Sequence, residues 1–257
     1  MRLIVLGSGT SFGVPQIGCS CRVCTSSDPR DRRTRVAAVV EGRSGGRVLI
    51  DTPPELRLQL VAAGVDAVDA ALYTHDHADH VHGIDDLRAV SVRRGRLPVY
   101  AAPDVLARLG ERFPYIFDES VPRDPATPRP ALERIPLMDG QAVTVAGISV
   151  LPLECDHGGT RVFGYRLDAL GYLTDVKAVS DDVVARLRGV RLLVLNALFD
   201  EPHPSHLSIA EAVEVARAVG APRTLFTHLT HRFTHVELAA RLPEGIEPAY
   251  DGLVAAF

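Results

Sequence analysis

The stretch Ala70-Ala71-Leu72-Tyr73-Thr74-His75-Asp76-His77-Ala78-Asp79-His80 decides how this chain is read. It opens as a short apolar run with the character of a buried strand and passes directly into three histidines and two aspartates. Groups packed that densely cannot all be ordinary core residues. Each buried one needs a hydrogen-bond partner, and neighbouring cationic imidazoles repel. A divalent cation answers both demands, because neutral imidazole and carboxylate are its natural ligands. His75 and His77 project together from extended chain, and Asp79 and His80 reach a neighbouring point on the following turn. That spacing suggests two adjacent metals. A solvated histidine-rich loop is the bland alternative, and the apolar strand immediately before the cluster argues against it.

On either side of the cluster, strands and helices alternate. Strands are expected at 2–6, Val36–Val40, Val48–Ile50, Pro98–Ala101, Val143–Val145, Ile148–Leu153, Val162–Leu167, Leu192–Leu195 and Arg223–Thr227. Helices are expected after Pro53-Pro54, over Asp104–Arg112, over Ser180–Arg188 with Ser180 or Asp181 as cap, over Ser208–Val219 closed by Gly220, and around Val236–Leu242. Residues 118–130, rich in proline and charge, read as a surface loop or lid. With no linker and no solenoid repeat, the sequence predicts one α/β domain over 1–257 with a large mixed sheet.

Composition sets the bounds. The chain has 257 residues, 28 basic against 32 acidic, and a net charge of −4. That charge argues against a general nucleic-acid binder, which needs a basic stripe. No apolar run approaches the roughly 20 residues of a membrane span. The N-terminal Met1–Thr10 stretch is too short for a secretory signal, so a soluble, cytoplasmic protein is expected. Lys177 is the one lysine and the other 27 basic residues are arginine, so a single arginine is weak evidence for a phosphate site.

His-x-His-x-Asp-His after a strand, with Gly83 three residues on, resembles the signature of the metallo-β-lactamase superfamily of hydrolases. The resemblance implies an αββα four-layer sandwich of two mixed sheets flanked by helices, with metals at one edge. It also implies further ligands at strand ends, in the family's order: His157 after Ile148–Leu153, Asp175 after a short apolar strand, and His228 after Arg223–Thr227. On that basis His75, His77 and His157 hold one cation, Asp79, His80 and His228 hold a second, and Asp175 bridges them. Zinc, manganese or iron all suit such donors.

A second cluster, Cys19-Ser20-Cys21-Arg22-Val23-Cys24, offers three thiolates. Three cysteines leave one odd, and Cys155 is distant, so disulfides are disfavoured. A closed tetrahedral zinc site needs one more ligand, and His231 is available. It lies three positions after His228, a spacing that on a helical turn lets each histidine serve a different metal. The loop at about 15–35 is then a structural zinc element that pins a segment without periodicity. Cys155 reads as a small buried residue, not a nucleophile. This loop narrows the resemblance to the phosphoribosyl cyclic phosphodiesterases of the PhnP type. The PqqB accessory proteins of coenzyme PQQ synthesis have a similar one.

Phosphodiester hydrolysis asks for a proton on the leaving alkoxide. His206 matches the position at which phosphodiesterases of the superfamily place a general-acid histidine, with His203 as its local competitor. Asp79 joins it among the catalytic residues. Arg33, Arg35 and Arg88 are candidates for the substrate phosphate. No long insert resembles the arm with which tRNA-processing relatives hold tRNA. The expected substrate is therefore a small cyclic or alkyl phosphodiester, such as 5-phospho-α-D-ribosyl 1,2-cyclic phosphate. No nucleic-acid or membrane partner is expected, and a homodimer is compatible with the resemblance. Thioester or lactam hydrolysis, a tRNase Z-like nuclease, a PqqB-like role and a non-enzymatic zinc protein are the alternatives. Seven catalytic-site ligands argue against the last, since a structural site closes with four. Asp175→Ala should remove both metal and activity. Mass-spectrometric metal analysis that found both cations retained would refute the bridging role.

Overall fold

The computed structural model describes residues 1–122 and 126–257. The first half comprises β1 (Arg2–Gly7), β2 (Ala37–Glu41), β3 (Arg47–Ile50), α1 (Leu56–Ala62), β4 (Ala70–Leu72), α2 (Ala78–Val81), α3 (Arg88–Arg94), β5 (Leu97–Ala101), α4 (Pro103–Arg112), α5 (Pro114–Phe117) and β6 (Leu132–Pro136). The second comprises β7 (Val143–Val145), β8 (Ile148–His157), β9 (Thr160–Leu167), β10 (Leu170–Leu173), α6 (Asp181–Leu187), β11 (Leu192–Asn196), α7 (Ile209–Val219), β12 (Arg223–Thr227), α8 (His235–Ala239), β13 (Ile246–Pro248) and β14 (Val254–Ala256).

The strands form two seven-stranded sheets, ordered β14-β1-β2-β3-β4-β5-β6 and β13-β12-β11-β10-β9-β8-β7. Both are mixed in the same sense. Pairings from β14 to β3 are antiparallel and those from β3 to β6 parallel. Likewise β7 to β10 are antiparallel and β10 to β13 parallel. With helices alongside, this is the expected αββα sandwich. Period-two alternation sorts the second sheet into two layers. Tyr165, Tyr172, Leu192, Val194 and Leu225 share one core cluster with Leu3, Leu49 and Leu72 of the first sheet. Leu173, Leu193, Leu195 and Phe226 join the other, with Leu187, Ala212 and Leu238 from the helices. Strands buried on both faces, such as β11, read as continuous apolar runs for this reason.

The helix ends follow local chemistry. Ser180 caps α6 by accepting from the Val183 amide. Ser208 and Glu211 form a capping box on α7, and Gly220 closes it at φ 71°. Thr234 and Glu237 repeat the box on α8. The structure differs from the sequence reading at several points. Strands β6, β13 and β14 were not expected; all lie at sheet edges, where proline is tolerated and apolar alternation is weak. Strand β8 runs on to His157, which is therefore its last residue, before a turn at Gly158 and Gly159. The stretch from His228 to His231 is irregular, not a helical turn. In the expected 118–130 loop, residues 118–122 and 126–129 are exposed or half-buried, and Arg123, Asp124 and Pro125 lie outside the described residues. No helix among the described residues is long and apolar enough to cross a membrane.

One side chain ties the segment before β14 to those that follow β1 and precede β2. The Asp251 carboxylate accepts from Ser8 N and Oγ at 2.9 and 2.7 Å, and from Thr34 N and Oγ1 at 2.7 and 2.6 Å. Asp251→Ala orphans four donors. It should cost on the order of 2–3 kcal/mol, with a melting temperature lower by roughly 5–10 °C in a thermal scan.

Candidate metal centre

Most side chains of the predicted metal edge come from the carboxyl ends of strands in both sheets, where a parallel sheet opens its crevice. His75–His80 follow β4, Asp175 follows β10, and His228 follows β12, while His157 ends β8. Asp175 and His228 have left-handed backbones, at φ 59° and 58°. Such conformations are disfavoured for these residues and concentrate at functional sites.

The donors converge in overlapping sets, each with its ligand atoms within 4.8 Å of one another: His75, His77 and His157; His75, His80 and Asp175; Asp79, His80 and His228; His157, Asp175 and His206. His75 Nε2 lies 3.0 Å from His77 Nδ1. Asp175 Oδ1 lies 3.1 Å from His228 Nε2, and Oδ2 lies 3.3 Å from His80 Nε2. His80 Nε2 is also 3.4 Å from Asp79 Oδ2. All seven catalytic-metal residues of the sequence reading are thus brought together.

Hydrogen-bond partners prepare the histidines for a cation. His80 Nδ1 donates to Asp51 Oδ2 at 2.8 Å, and His157 Nδ1 donates to the Ser205 carbonyl at 2.6 Å. Thr74 Oγ1 gives its proton to Asp51 Oδ2 at 2.8 Å, so at 2.9 Å it accepts from His75 Nδ1. Carboxylate and carbonyl only accept, so each Nδ1 carries a proton, and Nε2 is the nitrogen left to give up its own proton to a metal. The charges agree. Burial works against a charged His80, yet Asp175 and Asp51 hold it well above its ordinary value. Burial also works against ionised Asp175 and Asp79, but His228 and His80 hold the first well below the usual carboxylate range, and His80 lowers the second. Burial lowers His75 and His157. The centre demands positive charge and offers unprotonated nitrogens, which is the chemistry of a cation site.

Asp51 was not anticipated. It is fully buried, sits just past β3 at φ 62°, and accepts also from the Thr74 amide at 2.8 Å. A charged residue directly after the apolar Val48–Ile50 was the available signal. Asn196, also unanticipated, brackets Val176 by accepting from its amide and donating to its carbonyl, which steadies the turn carrying Asp175.

His206 lies inside the cluster. Its Nε2 is 3.1 Å from Asp175 Oδ1, and its ring stacks on His228 at 4.7 Å and 17°. Burial lowers its pKa, opposed by the Asp175 contact. His203 stands one ring further out, 5.2 Å from His206. Cys155 is buried in the helix-side core, and burial pushes its thiol up to about 12, consistent with an inert residue.

The cysteine cluster converges as expected. Cys19, Cys21 and Cys24 Sγ lie 3.4, 3.5 and 3.4 Å from His231 Nδ1. Tetrahedral zinc with Zn–S of ~2.3 Å and Zn–N of ~2.0 Å separates S from N by about 3.5 Å. The Cys24 amide holds the Cys21 thiol down to about 6, while burial pushes Cys24 up to about 11.

The arginines fare differently. Arg33 is corrected: at 1% exposure it faces inward, donating to the carbonyls of Thr230 and Phe233 and pairing with Asp31, so no substrate reaches it. Arg35 is engaged by Glu55 and the Ser11 carbonyl. Arg88 pairs with Asp85 and lines a cleft of about 620 Å³ with Arg96, Tyr115 and Arg129, whose described lining includes none of the metal-centre residues.

Comparison with known proteins places this geometry in a family. Residues 46–229 match the model of the beta-lactamase superfamily domain. A solved diphosphatase of the PhnP family superposes with a TM-score of 0.90 at 40% identity, over 100% of this chain and 97% of that one. An octanoyltransferase of Porphyromonas gingivalis is 40% identical over 99% of this chain, which spans only 51% of that protein's length. Coenzyme PQQ synthesis protein B of Rhodopseudomonas palustris is 31% identical over 76% of this chain and 73% of its own. The chain belongs to the beta-lactamase superfamily, with a metallo-β-lactamase fold close to that of the PhnP-family structure.

Asp51→Asn keeps the shape but removes the charge that orients His80. Catalytic-metal affinity should fall by roughly 10–100-fold, read by isothermal titration of metal-stripped protein.

Proposed function

We propose that this chain is a dinuclear phosphodiesterase acting on small, cyclic phosphodiesters of the 5-phospho-α-D-ribosyl 1,2-cyclic phosphate type. The observation that carries the reading is the placement of His206 against Asp175, within a centre of seven converging donors. His75, His77 and His157 would hold one cation, and Asp79, His80 and His228 a second, with Asp175 shared. Manganese or zinc suits these ligands, iron also fits, and the Cys19-Cys21-Cys24-His231 site suits a structural zinc. Bound there, two divalent cations would supply a water nucleophile at neutral pH and offset negative charge on the phosphoryl group.

The chain's own residues supply orientation and a proton. Thr74, Asp51 and the Ser205 carbonyl keep three imidazoles aimed inward. In this reading His206 protonates the departing alkoxide, and an anionic substrate beside it would raise its proton affinity. Likeness to a PhnP-family diphosphatase supports phosphoryl chemistry generally. The acyl transfer named for the Porphyromonas gingivalis protein belongs to a chain about twice this length.

The leaving group separates these activities. A panel with manganese and zinc would compare a cyclic ribose phosphate, an alkyl diester, bis-p-nitrophenyl phosphate, a diphosphate and a thioester. His206→Ala should slow the cyclic and alkyl diesters about 10²–10⁴-fold, but the diphosphate and p-nitrophenyl compounds far less, because their leaving groups need no proton. Thioester turnover without diester turnover would overturn the reading.

A further inference from the structure

We propose that Arg33 and the Cys19-Cys21-Cys24-His231 site together set the position of His228, so that the structural metal governs how tightly the neighbouring centre holds the cation shared by Asp79, His80 and His228. The proposal rests on the reading of His228 as a ligand. His75, His80 and His157 are each oriented by a hydrogen bond at Nδ1. His228 is not. Its Nδ1 is buried and has no hydrogen-bond partner among the described residues, and its backbone is left-handed at φ 58°. Apart from Asp175 at Nε2 and the stacked His206 ring, its position is set by the chain that carries it.

That chain is a strap tied at each step to the segment around the cysteines. Leu229 N donates to the Ser8 carbonyl at 2.8 Å, and the Leu229 carbonyl accepts from Thr10 N at 3.3 Å. The Thr230 carbonyl accepts from Arg33 Nη1, and the Phe233 carbonyl from Arg33 Nη2 at 2.9 Å. Between them His231 faces the three cysteines. The His235 amide donates to Asp31 Oδ1 at 2.6 Å, and the same oxygen lies 3.3 Å from Arg33 Nη2. Arg33 is the largest fully buried side chain among the described residues, and its own backbone pairs both ways with Val14 at 2.8 Å.

The cysteine-bearing segment has little regular structure of its own; between β1 and β2 only a single 3-10 turn, Pro29–Asp31, interrupts it. A metal on the cysteines holds His231, Arg33 grips the carbonyls on either side of it, and both act on a strap whose other end is His228. Because the His206 ring stacks on His228, a loosened strap frees both imidazoles. Arg33 is thus a positioning residue, and the structural metal is a second one.

The test uses the full chain loaded with Co(II), whose thiolate-to-metal absorption reports the cysteine site separately from the nitrogen-and-oxygen centre. Arg33→Met and Cys21→Ser should each weaken one catalytic cation about 10–100-fold, while the cation on His75, His77 and His157 changes less than about threefold. In a His228→Ala background the Arg33→Met effect on that cation should vanish. Arg33→Lys, which keeps a charged donor, should restore part of the affinity and serves if Arg33→Met does not fold. Equal weakening of both cations, or unchanged affinities in the variants, overturns the proposal. A wild-type centre that takes one cation, with no loss in His228→Ala, would instead overturn the ligand reading beneath it.

Discussion

The metal edge depends on one carboxylate. Asp51 emerges from β3 in a left-handed conformation, fully buried, and accepts from the Thr74 amide, the Thr74 hydroxyl and His80 Nδ1. Those bonds tie the end of β3 to the end of β4 and set the protons of two imidazoles, one directly and one through Thr74. Burial pushes the Asp51 carboxyl above the usual carboxylate range, and His80 with the Thr74 donors offsets only part of that. A neutral Asp51 would lose the charge that keeps the Nδ1 proton of His80 in place. The left-handed backbone is thus retained for what it aims at.

The two sheets share a plan, antiparallel on one flank and parallel on the other, and each contributes its parallel ends to the same crevice. Neither sheet alone carries the centre: the first brings His75 to His80, the second His157, Asp175 and His228. The apolar layer between them therefore has a chemical role. It keeps two ligand sets in register at distances of about 3 Å, and rigid packing is what makes such precision available.

What was legible in the sequence was local. Three histidines and two aspartates within six residues announce a cation because the density alone is improbable for a core. Asp175, His228 and His231 were reachable only through the order of motifs, since a single polar residue at a strand end has many ordinary uses. Asp51 escaped because its role lies in bonds to residues more than twenty positions away. Arg33 was misread for a related reason. In a chain with 27 arginines, residue type does not distinguish a substrate ligand from a buried clamp, and only exposure separates them. The unexpected strands β6, β13 and β14 are sheet edges, where neighbours rather than pattern decide the conformation.

The closure of the cysteine site over long sequence distance bears on how the protein is made. Cys19 meets His231 across 212 positions, and Ser8 meets Asp251 across 243. During synthesis, the three thiols emerge more than 200 residues ahead of their partner. Contacts of such separation form slowly, because loop closure precedes any reward. Over that interval the thiols depend on a reducing environment, and a closed four-ligand site can form only once His231 has emerged. Growth under oxidative stress or zinc limitation would therefore reduce the yield of folded protein through nascent chains, even where finished molecules are unaffected.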